Sequence, residues 1–259
     1  MDSEKRSIVR RHNYILEALQ KRGELKIAEL SDELGVSSVT LRKDVKMLED
    51  KRLLFHTHGN IHPIDQYMAR DVSVNEKEYI ATDEKMRIAQ RAATLIDDND
   101  AIIIASGTTV LFLARLVEAR GSLTVLTSAL NVGVALCSKP DVEIIHLGGA
   151  VRKTSTSVSG PFAQQMLSQF SCSKLFLGVD GIDLEYGCTT SSMMEANVNQ
   201  CMISAARRTI VLADSSKFGK RGFGRICSFE RVHQIITDDK VSDSMVGTLE
   251  DMGVEVTVV

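Results

Sequence analysis

Two groups of residues have types and spacings that could do chemistry. The first is the run Ser37-Ser-Val-Thr-Leu-Arg-Lys-Asp-Val45. Projected on a helix, Leu41, Val45 and Leu48 share one stripe, while Val39, Lys43 and Lys46 point the opposite way with Arg42 beside them. One face packs, and the other is free to meet phosphates and base edges. The second group lies far along the chain. Ser106-Gly107-Thr108-Thr109 follows the apolar run Ala101-Ile-Ile-Ile-Ala105 and precedes Val110-Leu-Phe-Leu-Ala114. Its N–H groups and hydroxyls could surround an anion at the positive end of a helix. The same residue types also suit a plain helix cap, and a basic helix face also suits solvent, so both alternatives stay open.

Further polar residues recur where other apolar runs end: Thr127-Ser128, Gly148-Gly149, Gly178-Val-Asp180-Gly181 and Ala213-Asp214-Ser-Ser-Lys217-Phe218-Gly219. Lys217 is the cation a phosphate would want, and Asp180 and Asp214 could accept from sugar hydroxyls or cap neighbouring turns. The stretch Gly219-Lys-Arg-Gly-Phe-Gly224 superficially evokes a dinucleotide loop but lacks its glycine order. His56, His58 and His62 cluster without a cysteine or paired carboxylate to complete a metal site. Neither a metal nor a cofactor is expected.

Elements must hold these groups in place. Ile8, Ile15, Leu16 and Leu19 recur at helical spacing before Gly23, and Ile27, Leu30 and Leu34 repeat before Gly35. Ser37 or Ser38 caps a third helix running to about Asp50. Leu53-Leu-Phe55, then Gly59-Asn60 and Ile61, predict a short hairpin, which makes residues 1–62 a winged helix-turn-helix. Residues 63–82 read as a polar linker. Residues 83–259 alternate helices with strands at Ala101 to Ala105, Leu123 to Leu126, Val142 to His146, Lys174 to Gly178, Thr209 to Ala213, Gln234 to Thr237 and Val254 to Val258. That order predicts an α/β domain with a mostly parallel sheet covered on both faces.

Composition sets bounds on these readings. With 44% hydrophobic and 25% charged residues and no long apolar run, the chain reads as globular, with no membrane span or signal pattern and a cytoplasmic location. Five cysteines at 137, 172, 188, 201 and 227 include no C-x-x-C pair, which argues for reduced, mostly buried thiols. The net charge of −3 hides an asymmetry. Residues 1–62 carry 12 Lys and Arg against 10 Asp and Glu, leaving 19 against 24 for residues 63–259. The sign suits a nucleic-acid-binding amino end, weakly.

Arg11, Ile15 and Leu19, followed after seventeen residues by Ser37-x-x-Thr40-Leu41-Arg42-Lys43-Asp44-Val45, resemble the signature of the DeoR family of bacterial transcription regulators. The resemblance implies that Ser37, Ser38, Thr40, Arg42 and Lys43 meet operator DNA, with Lys46 on the same face, and that Asp44 braces the helix. The wing departs from the family's Arg-Thr-His-Gly-Gly, reading Phe55-His-Thr-His-Gly-Asn60. Residues 82–259 resemble the family's effector-sensing domain, itself similar to ribose-5-phosphate isomerase. This implies an isomerase-like fold, with Ser106, Gly107, Thr108 and Thr109 as phosphate cradle and Gly148, Gly149, Asp180, Glu195, Asp214 and Lys217 at the effector. Glu195 matches the carboxylate that is the base in the isomerases. Relatives commonly read Thr-Asn-Ser where this chain has Thr127-Ser128-Ala129, and Val-Lys-Arg where it has Val198-Asn199-Gln200. The second change removes positive charge, so Lys217 and the backbone must suffice or the ligand is less anionic.

The expected function is a repressor of carbohydrate genes, homodimeric or homotetrameric, released from duplex operator DNA by a phosphorylated sugar or related metabolite. An isomerase with a DNA-binding appendage is the rival, with Glu195 transferring a proton. Against it, the lysine-rich glycine loop of those isomerases reads Leu184-Glu-Tyr-Gly187 here. An architectural DNA-binding protein whose large domain only oligomerises is the third reading.

Overall fold

The computed structural model describes residues 8–51, 53–57, 59–63, 73–119 and 121–259, and the chain divides between Met68 and Ala69 into two compact units. Three helices build the first: α1 (Ile8–Arg22), α2 (Ile27–Leu34) and α3 (Ser38–Asp50). Their apolar stripes meet in one core of Ile15, Leu19, Ile27, Leu30, Leu34, Leu41, Val45 and Leu48. Ile8, grouped with that stripe by its spacing, is exposed at the helix start. Gly35 ends α2 in the left-handed region (φ 60°), its N–H returning to Asp32 and Ser31 carbonyls, which allows the sharp turn into α3. Ser37, rather than Ser38, caps α3 by accepting from the Thr40 N–H. Strand β1 (Leu25–Lys26) pairs antiparallel with β3 (Asn60–Pro63), which pairs with β2 (Leu54–Thr57) in the predicted wing. His58 lies outside the described residues. His56 faces Glu49 at 3.1 Å and His62 faces Glu24 at 4.0 Å.

In the second unit a seven-stranded, all-parallel sheet runs in the order β15-β14-β12-β9-β4-β5-β6. These strands are β4 (Ala101–Ile104), β5 (Leu123–Thr127), β6 (Val142–His146), β9 (Cys172–Gly178), β12 (Ala206–Leu212), β14 (Gln234–Thr237) and β15 (Glu255–Val258). Alternate residues serve opposite faces. Ile103, Leu175, Leu177 and Val211 pack with helices α8 (Pro161–Leu167), α9 (Met193–Ala205) and α10 (Asp243–Asp251). Ile102, Ile104, Phe176 and Ile210 pack with α5 (Thr82–Ala93), α6 (Thr108–Leu116) and α7 (Leu130–Leu136). The seven strands match the sequence reading to within a few residues at their ends.

Two smaller sheets were not legible. A hairpin of β7 (Ala150–Arg152) and β8 (Ser157–Ser159) follows β6, and β10 (Gly181–Asp183), β11 (Gly187–Thr190) and β13 (Gly224–Cys227) form an antiparallel layer. These short strands mix glycine and polar residues among few apolar ones, so none forms the apolar run that marks the strands of the main sheet. The glycine-rich 219–224 run enters β13: a Cβ at Gly222 would stand 2.4 Å from the Thr190 carbonyl oxygen, so its glycine serves close backbone approach. The second difference concerns the linker. Residues 73–82, read as part of a connection, include the single turn α4 (Val74–Lys77) and the first residue of α5. Val74 is buried and its N–H donates to the Thr154 carbonyl, so this stretch packs as part of the second unit. The cysteines are free thiols, three of them buried, with Cys137 exposed and Cys201 half-buried. No helix among the described residues is long and apolar enough to cross a membrane.

The core of the first unit is crossed by one charged pair. Arg11 on α1 grips Asp44 on α3 in two-pronged fashion, Nε to Oδ2 at 2.6 Å and Nη2 to Oδ1 at 3.0 Å, and Asp44 is only 2% exposed. Asp44 thus braces α3. Removing one partner of such a pair strands a buried charge. Asp44→Ala is expected to destabilise the first unit by about 3–5 kcal/mol, read from its urea unfolding by circular dichroism. A loss within experimental error would show the pair to be dispensable.

Candidate functional site

The outer face of α3 is what the periodicity anticipated. Leu41, Val45 and Leu48 are buried, while Ser37, Ser38, Arg42, Lys43 and Lys46 are exposed and Val39 stands 63% exposed. Thr40 is half-buried, its hydroxyl 2.9 Å from that of Ser37. Lys46 is engaged by its own helix, 3.4 Å from Glu49 and 3.5 Å from Asp50. Arg42 and Lys43 make no ion pair with a described residue. Their donors are therefore the ones on this face most available to an external phosphate or guanine.

The second constellation forms where strand order reverses. β4 is first in sequence among the seven strands yet lies between β5 and β9, so the connections leaving β4 and β9 diverge and open a crevice at their carboxyl ends. Ser106 and Gly107 follow β4, and Gly107 (φ 132°) leads into α6. Gly178, Val179 and Asp180 follow β9. The two backbones touch: a Cβ on Gly178 would stand 2.8 Å from the Ser106 carbonyl oxygen.

Of the residues anticipated, Ser106, Gly107, Thr108, Thr109, Asp180, Glu195 and Lys217 line this one cleft. Gly148, Gly149 and Asp214 do not. Gly148 donates its N–H to the Met166 sulfur at 3.3 Å, and Gly149 (φ 148°) lies so near the Ser159 carbonyl that a Cβ would meet it at 2.8 Å, so both shape the β7–β8 hairpin. Asp214 is buried and caps the short turn Ser215–Lys217 by accepting from the Ser216 N–H. It lies 3.9 Å from the Lys217 ammonium.

The sequence reading missed cations that the fold brings in. Lys77 of α4 donates to Asp180 Oδ1 at 2.6 Å, and Arg152 of β7 approaches Glu195 Oε2 at 3.5 Å. Both line the cleft. The only signals were a lysine in a segment read as linker and the polar run from Arg152 to Ser157. Asn199 is buried and lines the cleft, while Gln200 donates to the Arg225 carbonyl.

Hydrogen bonds aim the carboxylates. Asp180 Oδ2 accepts from the Thr190 hydroxyl at 3.0 Å and the Ser191 N–H at 2.9 Å. Burial alone would raise its pKa, but the adjacent Lys77 ammonium and these donors hold it below the usual value, so it stays ionised. Glu195, in the first turn of α9, accepts from Ser106 Oγ at 2.8 Å. Burial pushes its pKa up, and the Asp180 charge adds to the effect, against Ser106, Arg152 and Lys77. Behind the cleft the buried Lys85 ammonium donates to the Lys77 and Ile80 carbonyls, and burial lowers its pKa to about 8. The ensemble offers backbone donors, hydroxyls and three cations to an anion, and two carboxylates to hydroxyl groups.

Two outcomes are expected. Gly178→Ala forces the Ser106 loop away from β9 and costs about 1–3 kcal/mol, measurable by thermal unfolding. An unchanged melting temperature would deny the close contact. For Glu195 the raised folded pKa means that the carboxyl's stabilising contribution is fully present below its ordinary 4.5 and is lost as pH climbs through the raised value. Glu195→Gln should flatten the decline in stability over that window in a pH series of urea melts. An identical slope in wild type and variant would contradict it.

Comparison with known proteins agrees with this two-part arrangement. Residues 11–66 match the family described as "DeoR-like helix-turn-helix domain" and residues 80–239 that described as "DeoR C terminal sensor domain". A protein of Escherichia coli O157:H7 named "Putative aga operon transcriptional repressor" is 36% identical over 96% of this chain and 93% of its own length. The "Lactose phosphotransferase system repressor" of Staphylococcus epidermidis is 33% identical over 87% of this chain and 90% of its own. A solved ribose 5-phosphate isomerase A from Methanocaldococcus jannaschii shares 15% identity over 53% of this chain and 54% of that chain, with a TM-score of 0.40, too distant to argue from. With both units matched in order and relatives aligned over nearly their whole length, the chain belongs to the DeoR family of transcription regulators.

Proposed function

We propose that this protein is a sequence-specific repressor of carbohydrate genes whose hold on operator DNA is released by a phosphorylated sugar or related metabolite. One observation carries the reading. A cleft at the strand-order switch sets the Ser106–Thr109 loop among Lys77, Arg152 and Lys217, in a chain that also presents Arg42 and Lys43 on a free recognition face. Ser37, Ser38 and Thr40 sit at the start of that helix, where N-terminal residues reach bases or phosphates, and Lys46 adds charge further along. Asp180 and Glu195 supply acceptors for sugar hydroxyls. Gly148, Gly149 and Asp214, which do not line the cleft, act through the loops they shape rather than as contacts.

Relatives named as repressors favour regulation over the isomerase reading. The protein acts as a homodimer or homotetramer, because paired half-sites require paired recognition helices about one DNA turn apart, and it works in the cytoplasm, where operator and metabolite meet.

The test selects genomic fragments bound by the full chain and then titrates sugar phosphates against the bound complex. An effector is expected to weaken operator binding roughly 5- to 150-fold, the range of a coupling of about 1–3 kcal/mol. Arg42→Ala is expected to cost about 1–3 kcal/mol of operator affinity, measured by fluorescence anisotropy. Absence of any preferred fragment would overturn the regulator reading. A preferred fragment that no sugar phosphate releases, with no thermal stabilisation by any of them, would favour the architectural alternative.

A further inference from the structure

Resting on the reading of the cleft as an anion site, a further step concerns the segment that carries Lys77. Residues 73–80 precede the first long helix of the second unit, and the chain runs from them back to the DNA-binding unit. The segment is tied down along its length: the Val74 N–H to the Thr154 carbonyl at 2.7 Å, the Lys77 and Ile80 carbonyls to the buried Lys85 ammonium, and Glu78 to Arg115 at 2.7 Å. Only Lys77 sends a charged side chain from it into the cleft, where its ammonium meets Asp180.

That placement resolves an electrostatic difficulty. Asp180 is anionic and lines the same cleft as the Ser106–Thr109 loop, so a phosphate entering there would be repelled unless a cation stood between them. An ammonium has three donors, and one of Lys77's is spent on Asp180. We infer that Lys77 is a ligand-binding residue that bridges Asp180 and the anionic group of the ligand, so that occupation of the cleft clamps residues 73–80 onto the sensor. Binding at the cleft is thereby reported to the stretch of chain that continues into the DNA-binding unit. The clamp also discriminates. A neutral sugar gives Lys77 nothing new to hold and adds no further tie to the segment, however well its hydroxyls fit.

The experiment is hydrogen exchange on the full-length protein, with and without inorganic phosphate, at ionic strength matched by chloride. In wild type, the amides of residues 106–111 and of 74–80 should both become more protected. In Lys77→Met the first region should still respond, more weakly, and the second should lose its response. Lys77→Arg should restore it. The partners give a second handle. Asp180→Asn removes the repulsion, so phosphate should protect residues 106–111 in that variant even when combined with Lys77→Met. Protection of 106–111 without any change at 74–80 in wild type, or an undiminished response at 74–80 in Lys77→Met, overturns the clamp and leaves the anion site standing. No protection at either region overturns both.

Discussion

The approach of two backbones at the reversal of strand order supports everything in the cleft. β4 and β9 lie side by side, yet the chain leaves them in divergent directions, so the loops after them face each other with nothing between. Gly178 lets those loops touch, since a side chain there would enter the Ser106 carbonyl. From that contact the polar network grows outward. Ser106 holds Glu195, and Glu195 faces Arg152. Asp180 gathers Lys77 from α4 and Thr190 and Ser191 from the end of β11. The antiparallel layer β10-β11-β13 and the β7–β8 hairpin matter chiefly because they deliver Thr190, Ser191 and Arg152 to this point.

Charge in the two units is handled in different ways, and the difference follows use. In the amino unit, Arg11 and Asp44 neutralise each other deep between α1 and α3, which locks the presentation of the recognition helix. The locked pair leaves the exposed Arg42 and Lys43 as the unmatched charge on α3's outer face. In the cleft each cation has a carboxylate nearby, but at the edge of a solvent-reachable space: Lys77 with Asp180, Arg152 with Glu195, Lys217 with Asp214. Such pairs keep partly buried charges compensated.

The segment 73–82 shows how a stretch with no periodicity can become specific structure. Its few apolar residues follow no period and its one turn of helix is short, so no pattern of its own marks it. Partners outside it define it instead: Thr154, Asp180 and Arg115 come from three distant places in the chain, and Lys85 from the helix that follows. The same segment contributes a cleft cation and begins the connection to the other unit.

By itself the sequence determined the helices of the amino unit, the face of α3 that packs and the face that is free, and the seven parallel strands of the sensor. The helices are readable because burial of one face imposes a period of 3.6 on the sequence, and the strands because burial on both faces makes each a short continuous apolar run. The Ser106–Thr109 loop, Asp180, Glu195 and Lys217 were also legible, the loop and two of the three from their place at strand ends, Glu195 only through family resemblance. Only the tertiary structure decided that Gly148, Gly149 and Asp214 do not line the cleft and that Lys77 and Arg152 do. A residue's distance from a ligand site depends on how hairpins and crossovers close over long separations, and Lys77 meets Asp180 across 103 residues of chain. No local pattern encodes such a meeting.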